Sequence, residues 1–249
     1  TYAIPRRDWA NSTTYDMYED NISSSNATTS GATNIFDSTF FFRTSDNRVY
    51  KVLDNNGGSA YSGAEPTSES TSTFVLGGYT LKYMYSITAS EQATFLTTDF
   101  MPVSTDTTVN AAAVDGSINS IIVTNTGSGL TNGTYYAAVY GDGTSQGTSS
   151  GAIVKITVAS NVISAVSTGN TGIQQAGAGY TFGTVNLSSG FTFSDTSLSS
   201  ASAIGGSGAA ISVVISPKGG HGSNAVTELG GHYVLLQSTL EGADNDDFL

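Results

Sequence analysis

The segment 79–87 limits the fold of this chain more than any other part of the sequence. Large apolar or aromatic residues occupy every second position in it, and the residues between them are mostly polar. The alternating residues are Tyr79, Leu81, Tyr83, Tyr85 and Ile87. Side chains of a β-strand point alternately to the two faces of a sheet, so this pattern predicts a half-buried strand rather than a helix.

The residues before this segment predict a second part of the same sheet. Residues 38–44 and 48–53 are expected to be strands, and the turn-forming residues 45–47 between them predict a hairpin. Residues 54–58 read Asp-Asn-Asn-Gly-Gly, and such residues tolerate left-handed backbone conformations. We therefore expect the hairpin to end there.

A short helix is predicted directly after the alternating segment. Thr88 and Glu91 have the spacing of a capping box, in which each residue satisfies a free backbone N–H of the first helical turn. The helix is expected to end near Leu96, and residues 100–103 close this part of the chain.

The middle of the chain has a different amino-acid composition and contains an internal repeat. Charged residues make up 11% of the 249 residues, less than half of the usual share of about 25%, and Gly, Ser and Thr dominate residues 104–216. Within this part, the segments 117–124, 127–134 and 151–154 are echoed by 161–168, 177–184 and 208–211. Neither copy could bury its apolar face alone, so the two are expected to pack as a small β-sandwich or a paired meander.

The sequence therefore divides into three blocks. Residues 1–103 are predicted to form an aromatic-rich β domain, and residues 104–216 a Gly/Ser/Thr-rich β domain with two internal repeats. Residues 217–249 are predicted to return to the first domain; they contain a glycine loop, a strand expected at 232–237 and an acidic tail. The expected fold class is mainly β, with β-sandwich-like domains, one or two short helices and a Gly/Ser-rich β repeat insert.

Charge and apolar patterning argue against several classes of function. The formal net charge is −12, and the eight Lys and Arg residues are scattered, so the surface is expected to repel the phosphates of nucleic acids. No apolar run approaches the roughly 18–20 residues of a membrane-spanning helix. We predict no nucleic-acid binding and no membrane insertion. Because Thr1 already lies in what reads as folded sequence, we expect further residues before it and after Leu249.

Two histidines and two acidic segments are candidates for metal or catalytic chemistry. His221 lies between glycines and His232 follows one. The sequence spacing supplies no second residue that would form a metal or catalytic site with either histidine, so tight loops are the favoured interpretation. The segments 141–143 and 244–247 contain aspartates, as calcium loops do, without the spacing of an EF-hand. A solvated turn and an acidic tail are the favoured interpretations of these two segments.

Carbohydrate chemistry is a further hypothesis. Glu65, Glu69 and Asp99 could supply the pair of carboxylates that hydrolyses a glycosidic bond, but nothing in the sequence selects a pair. The tyrosines of segment 79–87 could stack on a sugar, although a packed sheet face or a subunit interface is their more common role. We therefore assign no catalytic, cofactor-binding or metal-binding residue, predict no cofactor, and expect the protein not to be an enzyme.

The most specific signal is a set of short segments spread over the first block. They are Ile4-Pro5-Arg6 with Trp9, Tyr15-Asp16 with Tyr18, Val49-Tyr50-Lys51-Val52-Leu53 with Asn55-Asn56, Pro66-Thr67, Gly78-Tyr79, Leu81-Lys82-Tyr83-Met84 and Phe100-Met101-Pro102-Val103. In order and spacing this set resembles the baseplate wedge subunit of the gene product 8 type in contractile-tailed, myovirus-type bacteriophages. Residues 219–222 and 228–231 resemble a later part of the same family, and the glycine-rich repeats are similar to inserts in virion proteins of cyanophage-like relatives. The sequence departs from the family at Thr80, where a bulkier residue is usual.

The resemblance implies a structural protein of the virion, located in the tail baseplate. A wedge subunit of this type assembles with neighbouring wedge and pin proteins and transmits the rearrangement that leads to contraction of the tail sheath. The implied partners are other wedge proteins and a second copy of the chain, as a homodimer within a wedge. The resemblance assigns no interface to particular residues.

Two other functions stay open at this point. A tail fibre or receptor-binding β module that binds a host surface glycan would also be acidic and rich in Ser, Thr and Gly. A secreted carbohydrate-active enzyme with a β-sandwich would need a pair of carboxylates in a cleft. The paired aromatic segments favour the wedge subunit, because a fibre more often shows a regular repeat throughout its length.

Overall fold

A computed structural model describes residues 1–19, 21–143, 151–164, 172–187 and 204–238. These residues form fourteen strands and three short helices. The mainly β fold expected from the sequence is thereby confirmed. The described part of the chain has three helices rather than the one or two expected.

The elements follow one another along the chain as short segments. The strands are β1 (Tyr2–Pro5), β2 (Phe41–Arg43), β3 (Arg48–Asp54), β4 (Phe74–Leu76), β5 (Tyr79–Ser86), β6 (Phe100–Pro102), β7 (Ile118–Ser128), β8 (Gly133–Gly141), β9 (Ile153–Ala159), β10 (Val162–Ile163), β11 (Ile173–Gln175), β12 (Gly183–Val185), β13 (Ser207–Ile215) and β14 (Tyr233–Val234). The helices are α1 (Ala89–Phe95), α2 (Thr107–Ala111) and α3 (Ala225–Glu228).

A four-stranded antiparallel sheet forms the centre of the first block. Its strand order is β2–β3–β5–β4. The hairpin predicted from the sequence is present as β2 and β3, with Phe42 opposite Tyr50. Strand β5 is buried from Tyr79 to Tyr85, so the prediction of a half-buried strand is wrong.

The reason for this burial is that apolar clusters cover both faces of the sheet. Neighbouring residues of a strand point to opposite faces, and Phe41 and Phe42 accordingly belong to different clusters. One cluster contains Tyr15, Phe42, Tyr50, Val52, Tyr61, Tyr79, Leu81, Tyr83 and Val109. The other contains Ile4, Phe40, Phe41, Val49, Met84, Tyr85, Ile87, Met101, Val103, Ala225 and Leu229.

A second, three-stranded sheet joins both ends of the described chain to this core. Its order is β14–β1–β6, with Ala3 opposite both Tyr233 and Pro102. The predicted strand at 232–237 is thus shorter than expected. Residues 217–238 contact the first block through β14 and α3, which is what a segment returning to the first domain would do. The division of the chain into three blocks stays a prediction.

Two antiparallel sheets form the middle block and share one apolar core. One has the order β10–β9–β8–β12 with β11 also paired to β9, and the other consists of β13 and β7. The core residues come from both sheets: Ile118, Ile121, Leu130, Tyr135, Ala137, Val139, Ala152, Val154, Ile156, Val158, Ile163, Tyr180, Leu187 and Ile204.

The repeated segments of the middle block form strands but do not occupy equivalent places. Residues 151–154 lead into β9 and residues 208–211 lie in β13, and these two strands belong to different sheets. Of the segment 161–168, residues 165–168 lie outside the described residues. The shared core explains how two short units with apolar faces are buried together.

The capping box predicted for the first helix is present in α1. The Thr88 hydroxyl accepts a hydrogen bond from the N–H of Glu91 at 3.2 Å, and the Glu91 carboxylate accepts one from the N–H of Thr88 at 2.9 Å. We expect Thr88→Ala to lower the free energy of unfolding by about 1 kcal/mol, because helical N–H groups lose their acceptor. Urea unfolding measures this. The exposed Thr98→Ala change serves as the control; a loss as large as that of Thr88→Ala would contradict the prediction.

Candidate functional site

Two lysines lie side by side in the four-stranded sheet. Lys51 of β3 and Lys82 of β5 are directly opposite each other in the strand register, and both are buried. Like charges at opposed positions destabilise a sheet. A buried ammonium group also needs hydrogen-bond acceptors or a counter-ion. The pair therefore requires partners from outside the sheet.

Glu228, the last residue of α3, is the partner of Lys51. Its Oε2 accepts a hydrogen bond from Lys51 Nζ at 2.9 Å. Its Oε1 accepts hydrogen bonds from the backbone N–H of Gly222 at 2.7 Å and of Asn224 at 3.3 Å. Both carboxylate oxygens are thus occupied, and this contact ties the segment 222–228 to the sheet.

His221 and Tyr18 complete the surroundings of Lys51. Lys51 Nζ lies 3.1 Å from Nδ1 of His221 and 3.6 Å from the centre of the Tyr18 ring. Together with Glu228, these contacts match the three donors of an ammonium group. We call Lys51, Lys82, His221 and Glu228 the charged cluster.

The contact with Lys51 determines which nitrogen of His221 carries the proton. Nδ1 of His221 lies 3.6 Å from Oε2 of Glu228, which is too far for a hydrogen bond. Nδ1 therefore accepts from Lys51, and Nε2 carries the ring proton. Burial, followed by the charge of Lys51, lowers the pKa of His221 to about 3, so the ring is neutral at pH 7. Nε2 is buried, and no described residue accepts its hydrogen.

The two lysines of the charged cluster differ in their ionic partners. Burial lowers the pKa of both Lys51 and Lys82, and the charge of Glu228 opposes the shift. Burial would raise the pKa of Glu228, but the charge of Lys51 and the hydrogen bond that Lys51 donates lower it to about 2. Lys82 Nζ donates to the backbone oxygen of Thr71. Among the described residues, no carboxylate lies within ion-pair distance of Lys82.

Glycines on both sides of His221 allow its loop to enter the core. Gly220 has a φ of +97°, and a Cβ atom there would lie 2.4 Å from the backbone nitrogen of Val114. Gly222 has a φ of +90°, and a Cβ atom there would lie 2.3 Å from Cγ1 of Val109. This is the tight glycine loop expected from the sequence, and its function is to place an imidazole against Lys51.

A cavity of about 410 Å³ lies beside the charged cluster. It is lined by Lys82 and His221, by residues 71–73, and by parts of the segments 112–119 and 173–177. It therefore lies where the first block meets the middle block. We call it the seam cavity.

A second cavity, of about 850 Å³, is lined in part by Tyr18. Its charged lining residues are of both signs, namely Glu19, Asp115 and Lys218. The Asp115 carboxylate accepts a hydrogen bond from the N–H of Gly219 at 2.9 Å. This cavity shows no unpaired buried polar side chain among its described lining residues.

The charged cluster holds distant segments of the chain together. Lys51 lines neither cavity, so its amine is closed off from a substrate. Within the described ranges, no group of three or more His, Asp or Glu side chains is arranged to hold a metal ion. The contacts of Lys51 and Glu228 support a structural role, which is to fasten residues 221–228 to β3.

The tyrosines considered for sugar stacking are not available at the surface. Tyr79, Tyr83 and Tyr85 are all buried. The Tyr85 hydroxyl donates to the backbone oxygen of Pro102 at 2.9 Å, and that of Tyr79 to the backbone oxygen of Ser59 at 2.6 Å. They are part of the packed sheet, and a sugar could not reach them without unfolding it.

The three carboxylates considered for glycoside hydrolysis have separate surface contacts. Glu65 accepts hydrogen bonds from the N–H and the hydroxyl of Ser45, both at 2.6 Å. Glu69 pairs with Arg48 at 2.7 Å. Asp99 accepts from the hydroxyl of Thr98 at 3.2 Å. None of the three lines either cavity described above.

The remaining candidates have structural surroundings where they are described. Asp142 accepts hydrogen bonds from the N–H and hydroxyl of Thr181 and from the N–H of Phe182, and these lower its pKa to about 2. His232 lies next to Phe36 and Tyr233, with ring centroids 4.7 Å and 4.3 Å away. The acidic residues 244–247 lie outside the described residues.

Sequence patterns did not identify Lys51, Lys82 and Glu228 as site residues, and they indicated only a loop position for His221. One signal was present, because each lysine interrupts an aromatic and aliphatic strand in a chain with only eight Lys and Arg residues. The partner could not be found in this way. Lys51 and Glu228 are 177 positions apart, and no periodicity connects them.

Exposed apolar side chains gather at the free edge of the three-stranded sheet. Tyr233 is 41% exposed, Val234 57% and Leu236 88%. The Tyr233 ring also lies 4.7 Å from that of Phe100. In the part of the chain that the structure describes, β14 pairs only with β1. We call β14 with Leu236 the apolar edge.

No protein-family model, curated protein or solved structure matches this chain. The similarity of the first block to a phage baseplate subunit therefore stays a prediction. The longest helix, α1, has seven residues, and no helix in the described ranges is long and apolar enough to cross a membrane.

Proposed function

We propose that this protein is a structural subunit of a virion, namely a baseplate wedge subunit of a contractile-tailed bacteriophage. The proposal begins from the ordered set of segments in the first block, from Ile4-Pro5-Arg6 to Phe100-Met101-Pro102-Val103. In this role the chain assembles with neighbouring wedge and pin proteins and transmits the rearrangement that precedes sheath contraction.

The observation that carries the structural role is the apolar edge. A sheet edge presents unpaired backbone N–H and C=O groups, and soluble proteins usually protect it with charge, proline or a covering segment. On this edge Val234 and Leu236 are exposed. An added strand or an apolar surface of a neighbouring subunit would satisfy both the backbone groups and the side chains.

The edge is also tied to the rest of the chain, which suits a subunit that transmits force. The N–H of Leu235 donates to the backbone oxygen of Thr1 at 2.9 Å, and the Thr1 nitrogen donates to the backbone oxygen of Leu235 at 3.0 Å. A few residues earlier, Glu228 is bound to Lys51 in the core. A load applied to β14 therefore reaches the central sheet through a short segment that is anchored at both ends.

Cross-linking mass spectrometry on intact phage particles tests the assignment. We expect cross-links between peptides of this chain and wedge or hub proteins, with copies near the hexagonal end of the tail. Cross-links that join the chain only to itself or to fibre proteins distal to the baseplate would overturn the proposal and favour a glycan-binding fibre module.

A substitution on the apolar edge tests whether this edge is used for assembly into the particle. We expect Tyr233→Lys to remove the chain from assembled particles or to lower its copy number at least tenfold, because a charge on an edge strand opposes strand addition. Tyr140→Lys is the matched control, since Tyr140 is 46% exposed but lies on β8. Quantitative mass spectrometry of purified particles measures incorporation. Equal incorporation of both variants would contradict this use of the edge.

A further inference from the structure

The seam cavity has a positively charged wall without a matching negative group. Of its described lining residues, Lys82 carries a charge, and none is Asp or Glu. Lys51 behind this wall is neutralised by Glu228, whose two oxygens are already occupied by Lys51 and by backbone N–H groups. The charged cluster as a whole therefore carries one uncompensated positive charge, on Lys82.

A second polar group at the same wall lacks a hydrogen-bond acceptor. His221 lines the cavity, and its Nε2–H is a buried donor with no acceptor among the described residues. A buried donor without an acceptor is rare in folded proteins and calls for an explanation, such as a water or an ion at the site. His221 thus lacks an acceptor atom, whereas Lys82, which donates to the backbone oxygen of Thr71, lacks a negatively charged partner among the described residues.

The wall of the cavity is polar, and two of its hydroxyl groups already donate hydrogen bonds within the chain. Ser72, Thr73 and Ser117 line the cavity. Thr73 donates to the backbone oxygen of Asn119 at 3.0 Å, and Ser117 donates to its side-chain oxygen at 3.2 Å. A volume of about 410 Å³ is within the usual range of small-molecule sites, about 300–1,000 Å³.

We propose that the seam cavity binds a small oxyanion, a phosphate or a carboxylate, between the Lys82 ammonium group and the Nε2–H of His221. The oxyanion supplies the acceptor that the Nε2–H of His221 lacks and compensates the charge of Lys82. It also bridges β5 and the 221–228 loop to the wall formed by residues 112–119. Its binding therefore strengthens the junction between the first and middle blocks.

Thermal unfolding with added anions tests the proposal on the whole chain. Inorganic phosphate, sulfate and acetate are each compared with chloride at equal ionic strength. We expect at least one oxyanion to raise Tm by about 2–4 °C in a saturable way. The anion that saturates at the lowest concentration identifies the preferred class, tetrahedral or planar. No rise beyond that in chloride, or a rise that never saturates, would overturn the proposal, since exclusion of salt from the surface gives the latter.

Substitution of Lys82 assigns the effect to this cavity. Lys82→Met removes the charge while keeping an unbranched side chain, and we expect it to abolish the saturable rise in Tm. Lys218→Met is the control, because Lys218 is an exposed lysine outside the seam cavity, and it should keep the full rise. Loss of the effect in both variants, or in neither, would place the anion elsewhere.

If Lys82→Met does not fold, nuclear magnetic resonance of the two histidines tests oxyanion binding in the protein without substitutions. We expect the ¹⁵N and ¹H signals of His221 Nε2–H to shift on titration with the preferred oxyanion and to saturate at the concentration found by thermal unfolding. The signals of His232, which lies at the surface beside Phe36, should not follow this curve. A constant His221 signal would overturn the proposal.

Discussion

Replacing Glu228 with Gln is expected to lower the free energy of unfolding by about 3 kcal/mol at neutral pH. The substitution keeps the shape of the side chain and removes its charge. Lys51 is then a fully buried ammonium group without a counter-ion, directly opposite a second buried lysine on β5. Breaking a buried pair in this way costs far more than the net contribution of the pair itself.

Urea unfolding at pH 7 measures this loss, with Glu69→Gln as the matched control. Glu69 also forms an ion pair, with Arg48 at 2.7 Å, but its side chain is 54% exposed. Exposed pairs contribute about 0–1 kcal/mol, so the control should remain close to the unchanged protein. Adding Lys51→Met to Glu228→Gln should recover part of the lost stability, because the ammonium group that lost its counter-ion is then absent. Equal losses for Glu228→Gln and Glu69→Gln would contradict the prediction.

Acidification is expected to destabilise the protein from about pH 6.5 downward, well before carboxylates titrate. The pKa of His221 is lowered by burial from its ordinary 6.5 to about 3 in the folded protein. Between these values the unfolded chain binds a proton that the folded protein does not, so stability falls as pH falls. By pH 4.5 the loss should reach about 2–3 kcal/mol.

Glu228 extends the loss to lower pH. Its pKa is lowered from 4.5 to about 2 in the folded protein, so the stability it contributes is fully present above pH 4.5 and disappears as pH falls towards 2. Free energies of unfolding measured at pH 7, 6, 5 and 4.5 separate the two residues, because Glu228 contributes little change in that range.

Replacing His221 tests the source of the pH dependence directly. His221→Gln should flatten the curve between pH 6.5 and 4.5. A curve that is equally steep in the His221→Gln variant would assign the acid sensitivity to another group and contradict the tautomer and burial derived for His221.

Local patterns in the sequence predicted local structure well. The hairpin of β2 and β3 and the capping box of α1 each depend on residues a few positions apart. The alternation in segment 79–87 identified β5 correctly as a strand. Its burial on both faces could not be predicted in the same way, because the covering residues, such as Tyr15 and Leu229, lie far away in the chain.

The charged cluster could not be predicted from local sequence patterns either. A lysine inside an apolar strand can reach the surface with its flexible side chain, so the sequence alone favours a solvated amine. Lys51 is buried by the segment 221–228. This segment can approach only because Gly220 and Gly222 pack closely against Val114 and Val109, which follow β6 in the chain. Packing between segments this far apart in the chain produces no periodic residue pattern in β3 or in residues 221–228.

The long separation between Lys51 and Glu228 has a consequence for how the protein is made. The two residues are 177 positions apart, which at ribosomal rates of roughly 5–20 residues per second corresponds to a delay of about 10–35 s. During this interval the first block has left the ribosome with its central lysine uncompensated, and the middle block is synthesised completely. We therefore expect the first block to close only after α3 has emerged, when Glu228 can pair with Lys51.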